Sequence, residues 1–164
     1  LLRPLLKFRK VELENFCRVK NLSPRLDKTN FLPDATRNKI RLELIPTLEE
    51  FNPALVETLC RLGEVTAQES DFISAQAQKI FPVVVKNNSI VRKEFLKLHP
   101  ALQRVIIKQF LVQVIGSVKD FGFVHFEGVR KVLTNNLAGV ELPRNLRANL
   151  RQGKLYITKN LGKG

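Results

Sequence analysis

The 164-residue chain contains no methionine and begins with Leu1. An unprocessed translation product starts with Met, so a fragment or excised domain with something missing upstream is expected. The first glycine is Gly63, and the later glycines are scattered. The first 62 residues therefore hold no glycine-rich loop that could cradle a phosphate. No apolar run approaches the roughly 18 residues of a membrane helix, and LLRPLLKFRK lacks an apolar core followed by small cleavage-site residues. No membrane association and no secretion are expected. Only two cysteines occur, Cys17 and Cys60, 43 positions apart inside helical patterns. That is not metal-ligand spacing, and buried free thiols in a reducing compartment are expected. The two histidines, His99 and His125, have no Cys or carboxylate partner at ligand spacing. His99 precedes Pro100 and reads as a helix-entry residue. These absences exclude a self-contained nucleotide-using enzyme or metalloenzyme.

Charge is plentiful and unevenly placed. The formal net charge is +13, and the apolar fraction of 44% is ample for a core. Between Leu42 and Gln78 stand seven acids (Glu43, Glu49, Glu50, Glu57, Glu64, Glu69, Asp71) and one base, Arg61, leaving 27 bases against eight acids elsewhere. Residues 144–164 carry six bases (Arg144, Arg147, Arg151, Lys154, Lys159, Lys163) and no acid. Basic ends around an acidic middle point to a polyanionic partner contacted by the ends; an ordinary solvated surface is the alternative.

Along the chain, Val11, Leu13, Phe16 and Cys17 recur at helical spacing and predict a short amphipathic helix over 10–20. Pro24 and the polar residues of NLSPRLDKTN break it. Thr36 suits an N-cap for a helix from Arg37, whose stripe Ile40, Leu44, Leu48 should be buried and which Pro46 should kink or end. Asn52-Pro53 restarts the helix. The apolar pattern then continues to about Phe81, where Pro82 should stop it; roughly 28 residues would span about 42 Å. Its length and acidic surface suit a connector, giving domains at 1–50, 51–80 and 81–164. VVVKNNSIV reads as a hairpin about Asn87-Asn88. ALQRVIIKQFLVQVI, opened by His99-Pro100 and closed by Gly116, should be a central helix, and 125–137 a weaker one. Leu146, Ala148 and Leu150 alternate with Arg147, Asn149 and Arg151, and Gln152-Gly153 turns the chain into a strand KLYIT. No internal repeat is visible.

One stretch gathers polar chemistry beside an apolar helix face: DKTNFLPDATRNKIRLELIP, residues 27–46. Arg37 and Arg41 are one turn apart on one face, next to Asn38 and to a helix N-terminus whose dipole favours an anion. Two guanidiniums there could grip a phosphate or carboxylate. Asp27 and Asn30 could orient those arginines, receive a cationic group, or simply brace a turn. The spacing alone leaves brace and site both open.

The order of motifs resembles the tRNA(Ile)-lysidine synthetase family. It rests on Arg3-Pro4-Leu5-Leu6, Asp27-Lys28-Thr29-Asn30, Arg37-Asn38-Lys39-Ile40-Arg41, Leu44-Ile45-Pro46 and Asn52-Pro53. Downstream it continues through LHPALQRVIIKQFL, VRKVL and ELPRNLRANLRQGKLYI, so that nearly the whole chain takes part. Thr29 replaces the commoner Ser and keeps its hydroxyl.

The resemblance implies a mainly α chain: the end of an α/β nucleotide-ligase domain, a long connector helix, then a helical domain with a small C-terminal β-hairpin. It implies a cytoplasmic, bacterial or plastid ligase that adenylates C2 of the wobble cytidine of tRNA(Ile) with the CAU anticodon, after which the ε-amine of L-lysine displaces AMP. ATP and Mg²⁺ would bind an upstream domain with an SGGxDS loop, outside this segment. Asp27, Asn30, Arg37, Asn38 and Arg41 would border the pocket for cytidine, lysine and phosphate. Arg144, Arg147, Arg151 and Lys154 would contact tRNA phosphates. A homodimer is left open, as are a further C-terminal domain and the tRNA elements touched. A stand-alone RNA-binding or adaptor domain without catalysis is the alternative, and a protein-interaction module using the acidic helix a third.

Overall fold

The computed structural model describes residues 4, 5, 8, 10–25 and 36–159. The chain divides into two compact units, Leu1–Cys60 and Arg61–Gly164. In the first, α1 spans Lys10–Val19 and buries none of its residues. A second helical run begins as α2 (Thr36–Lys39), widens into a π-turn (Ile40–Leu44) and returns as α3 (Ile45–Phe51). Pro46 explains the π-turn. It has no N–H for the Leu42 carbonyl, and its ring crowds that oxygen. The chain inserts one extra residue per turn, so that the Ile45 N–H bonds the Ile40 carbonyl. The expected kink at Pro46 is thus a change of helical register immediately before it.

Three expectations fail in this unit. The stripe of Ile40, Leu44 and Leu48 is 43%, 50% and 40% exposed rather than buried. Helical periodicity identifies an apolar face but not whether anything covers it. The cysteines are free, as expected, but not buried: Cys17 is half-exposed and Cys60 exposed. Thr36 lies inside the helix rather than capping it. Asn52 does cap the next one, its Oδ1 accepting the Ala54 N–H at 3.1 Å.

Helix α4 runs from Leu55 to Val84 and contains the division between the units. Pro82 does not stop it. A proline in the last turn removes one backbone hydrogen bond, and Val84, 1% exposed, is drawn into the core. The second unit then adds β1 (Val85–Lys86), β2 (Ser89–Val91), α5 (Arg92–Phe95), α6 (Pro100–Ile115), α7 (Phe123–Thr134), β3 (Gly139–Leu142), β4 (Leu146–Arg151) and β5 (Lys154–Lys159). Every buried apolar residue among those described belongs to this unit, from Ala77 to Leu155.

Helix α6 is its centre. It buries Ile106, Ile107, Phe110 and Leu111 completely, at about 1.5–3 kcal/mol of transfer free energy each. Its ends are sealed as the sequence suggests: His99 Nδ1 accepts the Ala101 N–H at 3.3 Å, and Gly116 takes φ +80° at the C-cap. Helix α7 starts two residues before the expected 125 and ends before 137, because Asn136 turns to φ +56°. Arg92 closes its C-terminus, donating from Nε to the Leu133 carbonyl at 2.6 Å and from its terminal nitrogen to Thr134 at 3.3 Å.

The expected C-terminal hairpin is present as β4–β5, inside an antiparallel sheet of order β1-β2-β5-β4-β3. Two turns fix its registers. Asn87 and Asn88 have φ +49° and +52°, and Gln152 and Gly153 +47° and +72°. Both are two-residue hairpin turns of the type that needs positive φ twice. Leu155, paired with Ile90 on one side and Leu150 on the other, faces the helices and is fully buried.

Candidate functional site

Of the five pocket residues expected from the sequence, Asp27 and Asn30 lie outside the described residues. Arg37 on α2 and Arg41 on the π-turn are exposed, and Asn38 is half-buried. The helical run therefore presents two guanidiniums about one turn apart, capable of neutralising a phosphate or carboxylate. The adjoining face carries a shallow groove of about 310 Å³ lined by Thr36, Lys39, Ile40, Glu43, Leu44 and Thr47. The arginines do not line it. A larger open groove, about 590 Å³, lies along α4 and α6 and includes Ser74, Gln78, Phe81, Lys108 and Gln113. Lys108 is its single titratable side chain, which leaves it without an acid–base pair.

The second basic region is built by strand register. Arg151 pairs with Lys154, Asn149 with Tyr156, Arg147 with Thr158 and Glu141 with Arg147. Residues directly opposite share a face, and the alternate positions Ala148 and Leu155 are fully buried. Arg147, Asn149, Arg151, Lys154, Tyr156 and Thr158 accordingly occupy the face of the sheet turned away from the helices. Asn149 organises it. Its Oδ1 accepts from Arg147 Nε at 3.1 Å, and its amide donates to Thr158 Oγ1 at 2.8 Å. Gly139 makes room for this network, since a Cβ there would stand 3.1 Å from Asn149 Oδ1 and 3.3 Å from Arg147 Nε.

Two of the four expected phosphate contacts already have acidic neighbours. Arg144 binds Asp120, with Nε at 2.8 Å and a terminal nitrogen at 2.7 Å. Arg147 lies 4.0 Å from Glu141 Oε1. Arg151 and Lys154 flank the β4–β5 turn and are exposed. Sequence reasoning picked these bases but missed Asn149, Tyr156 and Thr158 beside them. The signal was present, because Lys154, Tyr156 and Thr158 alternate with the apolar Leu155 and Ile157.

The acids with displaced pKa values serve the scaffold. Burial pushes the Glu127 carboxyl up, but hydrogen bonds and charge from Arg104 and Arg130 outweigh it, leaving a net lowering from 4.5. The contacts are 2.6 Å from Arg104 and 2.9 Å from Arg130, tying α6 to α7. Glu94 is lowered first of all by its hydrogen bond from Lys97. Both acids are held in ion pairs with basic side chains and are poor candidates for proton transfer. Among the described residues no group of three or more His, Cys, Asp or Glu could hold a metal ion. They do not fit a magnesium site.

Comparison with known proteins gives this arrangement a context. Residues 1–48 match the PP-loop domain family, a class of ATP-binding domains. The chain is 38% identical over 132 residues to the tRNA(Ile)-lysidine synthase of Clostridium perfringens, covering 78% of this chain and 28% of that protein. It is 32% identical over 165 residues to that of Caldanaerobacter subterraneus, covering 97% and 35%, and 32% identical over 152 residues to that of Dehalococcoides mccartyi, covering 89% and 32%. The chain belongs to the tRNA(Ile)-lysidine synthase family. It spans about a third of the length of these relatives.

Proposed function

We propose that this chain is part of a ligase that converts the wobble cytidine of tRNA(Ile) to lysidine, and that it forms no lysidine alone. The observation that carries this reading is the extent of the likeness: one relative aligns over 97% of the chain, through the arginine helix and the basic sheet together. Residues 1–50 complete the catalytic domain, 51–80 connect, and 81–164 hold tRNA. ATP and L-lysine are the co-substrates, and ATP supplies the adenylyl group from outside this segment. Arg37 and Arg41 neutralise phosphate as AMP becomes the leaving group, and Asp27, Asn30 and Asn38 border the same pocket for cytidine, lysine and phosphate. Arg144, Arg147, Arg151 and Lys154 contact tRNA phosphates, which gives affinity without base readout. No helix among the described residues is long and apolar enough to cross a membrane, and a cytoplasmic site of action follows from the tRNA substrate.

Two measurements test this. In an active lysidine-forming enzyme carrying this segment, Arg41→Ala should lower lysidine formation roughly 10- to 150-fold, the worth of one charge-assisted hydrogen bond, while the melting temperature stays near wild type. Equal loss of activity and stability would return Arg41 to a structural brace. The chain itself should bind tRNA with affinity that falls as salt rises; four phosphate contacts on duplex give a log–log slope of about −3.6. Replacing Arg151 and Lys154 together should flatten that slope by about 2. Indistinguishable samples with and without tRNA at low salt would remove the binding role.

A further inference from the structure

The outward sheet face holds one feature that phosphate binding does not use. Tyr156 is the single tyrosine of a chain without tryptophan, and it sits half-buried in the middle of that face, directly opposite Asn149. Among the described residues its hydroxyl makes no hydrogen bond and its ring joins no aromatic or cation–π pair. The Asn149 amide opposite it is committed to Thr158 and Arg147 and makes no hydrogen bond to the Tyr156 hydroxyl. An aromatic placed for packing belongs on the other side of this sheet, with Leu155, Ala148 and Ile157.

The surroundings of that ring select a partner. Along each strand same-face neighbours are about 7 Å apart, so Arg151 and Lys154 form the next pair toward the turn, and Arg147 with Thr158 the next pair the other way. Long cationic side chains thus bracket one aromatic plane, and the single acid on the face, Glu141, lies against Arg147. Cations around a half-buried ring on an outward face suit a nucleotide strand whose base stacks on the ring and whose phosphates meet the cations. A duplex cannot use the ring, since its bases are stacked on each other.

We propose that Tyr156 is the stacking residue of a subsite for an unpaired RNA nucleotide on the outer face of the sheet, with Arg151 and Lys154 holding the adjoining phosphate. This rests on the tRNA-binding reading and sharpens it: the sheet receives an unpaired stretch of the RNA, not helical stem alone.

The composition supplies the assay. Tyrosine emission from the 164-residue chain reports on Tyr156 alone. An unstructured single-stranded RNA and a blunt RNA duplex of equal length, each end-labelled, are titrated at low salt with the wild type, Tyr156→Phe and Tyr156→Leu, affinity being read from the anisotropy of the label, tyrosine emission from the wild type alone, and the fold from circular dichroism. The single strand should quench the emission, and it should bind Tyr156→Leu about 5- to 150-fold more weakly than wild type. Tyr156→Phe should stay within about threefold of wild type, because stacking needs the ring and not the hydroxyl. The duplex should bind all three alike and leave the emission unchanged. If Tyr156→Leu does not fold, the wild-type comparison of single strand with duplex decides alone. Salt-sensitive binding of the single strand with unchanged emission, or with equal affinity for Tyr156→Leu, overturns the stacking subsite and leaves phosphate binding standing. Absence of binding by either RNA overturns the tRNA reading itself. Quenching by both RNAs alike also sinks the proposal, since it would follow the phosphates and not an unpaired base.

Discussion

Gly139→Ala offers the sharpest test of the packing beneath the basic sheet. Gly139 opens β3 and pairs with Asn149. A Cβ built there stands 2.4 Å from the Ala148 carbonyl oxygen, where real Cβ contacts do not fall below 3.0 Å. The obstacle is backbone, so no side-chain rotation relieves it, and β3 must retreat from β4. Overpacking of this kind costs about 1–3 kcal/mol. For a unit of roughly 100 residues that lowers the melting temperature by about 4–12 °C. Gly63→Ala supplies the opposite control. Its Cβ would meet nothing within 4 Å, in the interior of α4, where alanine is favoured over glycine by about 1 kcal/mol. Thermal melts followed by circular dichroism should therefore move in opposite directions for the two variants. A Gly139→Ala protein that melts at or above wild type would refute the close approach of β3 to β4.

Arg92→Met keeps the aliphatic stem but removes the donors to the Leu133 and Thr134 carbonyls; it should cost about 2 kcal/mol, read as a lower urea midpoint, and an unchanged midpoint would mean water replaces the cap. Glu127 gives a pH dependence. Its folded pKa lies below the ordinary 4.5, so its stabilisation is present above 4.5 and disappears as pH falls through the folded value. Acid melts of Glu127→Gln should accordingly fall less steeply below pH 4.5 than those of wild type, and parallel curves would show that its ion pairs with Arg104 and Arg130 do not couple to folding.

The fold was legible wherever local chemistry decides it. His99-Pro100 and Gly116 bracket α6 because a capping nitrogen, a preset φ and a positive φ are properties of single residues. The β4–β5 hairpin was readable from the alternation of Leu146, Ala148 and Leu150 with polar residues and from Gln152-Gly153. What could not be read is non-local. Strand β3 begins with glycine and is followed at once by Pro143, so its alternation of Val140, Glu141 and Leu142 is too short to announce a strand; its pairing is with the edge of β4. The joining of the Asn87-Asn88 hairpin to β5 depends on Ile90 meeting Leu155, a pairing with no local signature. Pro82 misled for a related reason, since the burial of Val84 outweighs one lost hydrogen bond.

The two basic sites differ in how far residue types alone could define them. On the sheet, a period of two fixes which side chains share a face, so the bases were found in sequence and only their neighbours needed the register. The helical site has no such guarantee. Arg37 and Arg41 are one turn apart under any helical winding, but their direction relative to α3 depends on the π-turn that Pro46 imposes between Ile40 and Leu44. One extra residue in the turn rotates everything before it by about 100° relative to everything after, since an α-helix turns once in 3.6 residues. The exposed apolar stripe of Ile40, Leu44 and Leu48 follows from the same segment. Proline here therefore does more than end a helix: it aims the arginines, and a reading that treated Pro46 only as a breaker could place them on a helix without saying where they point.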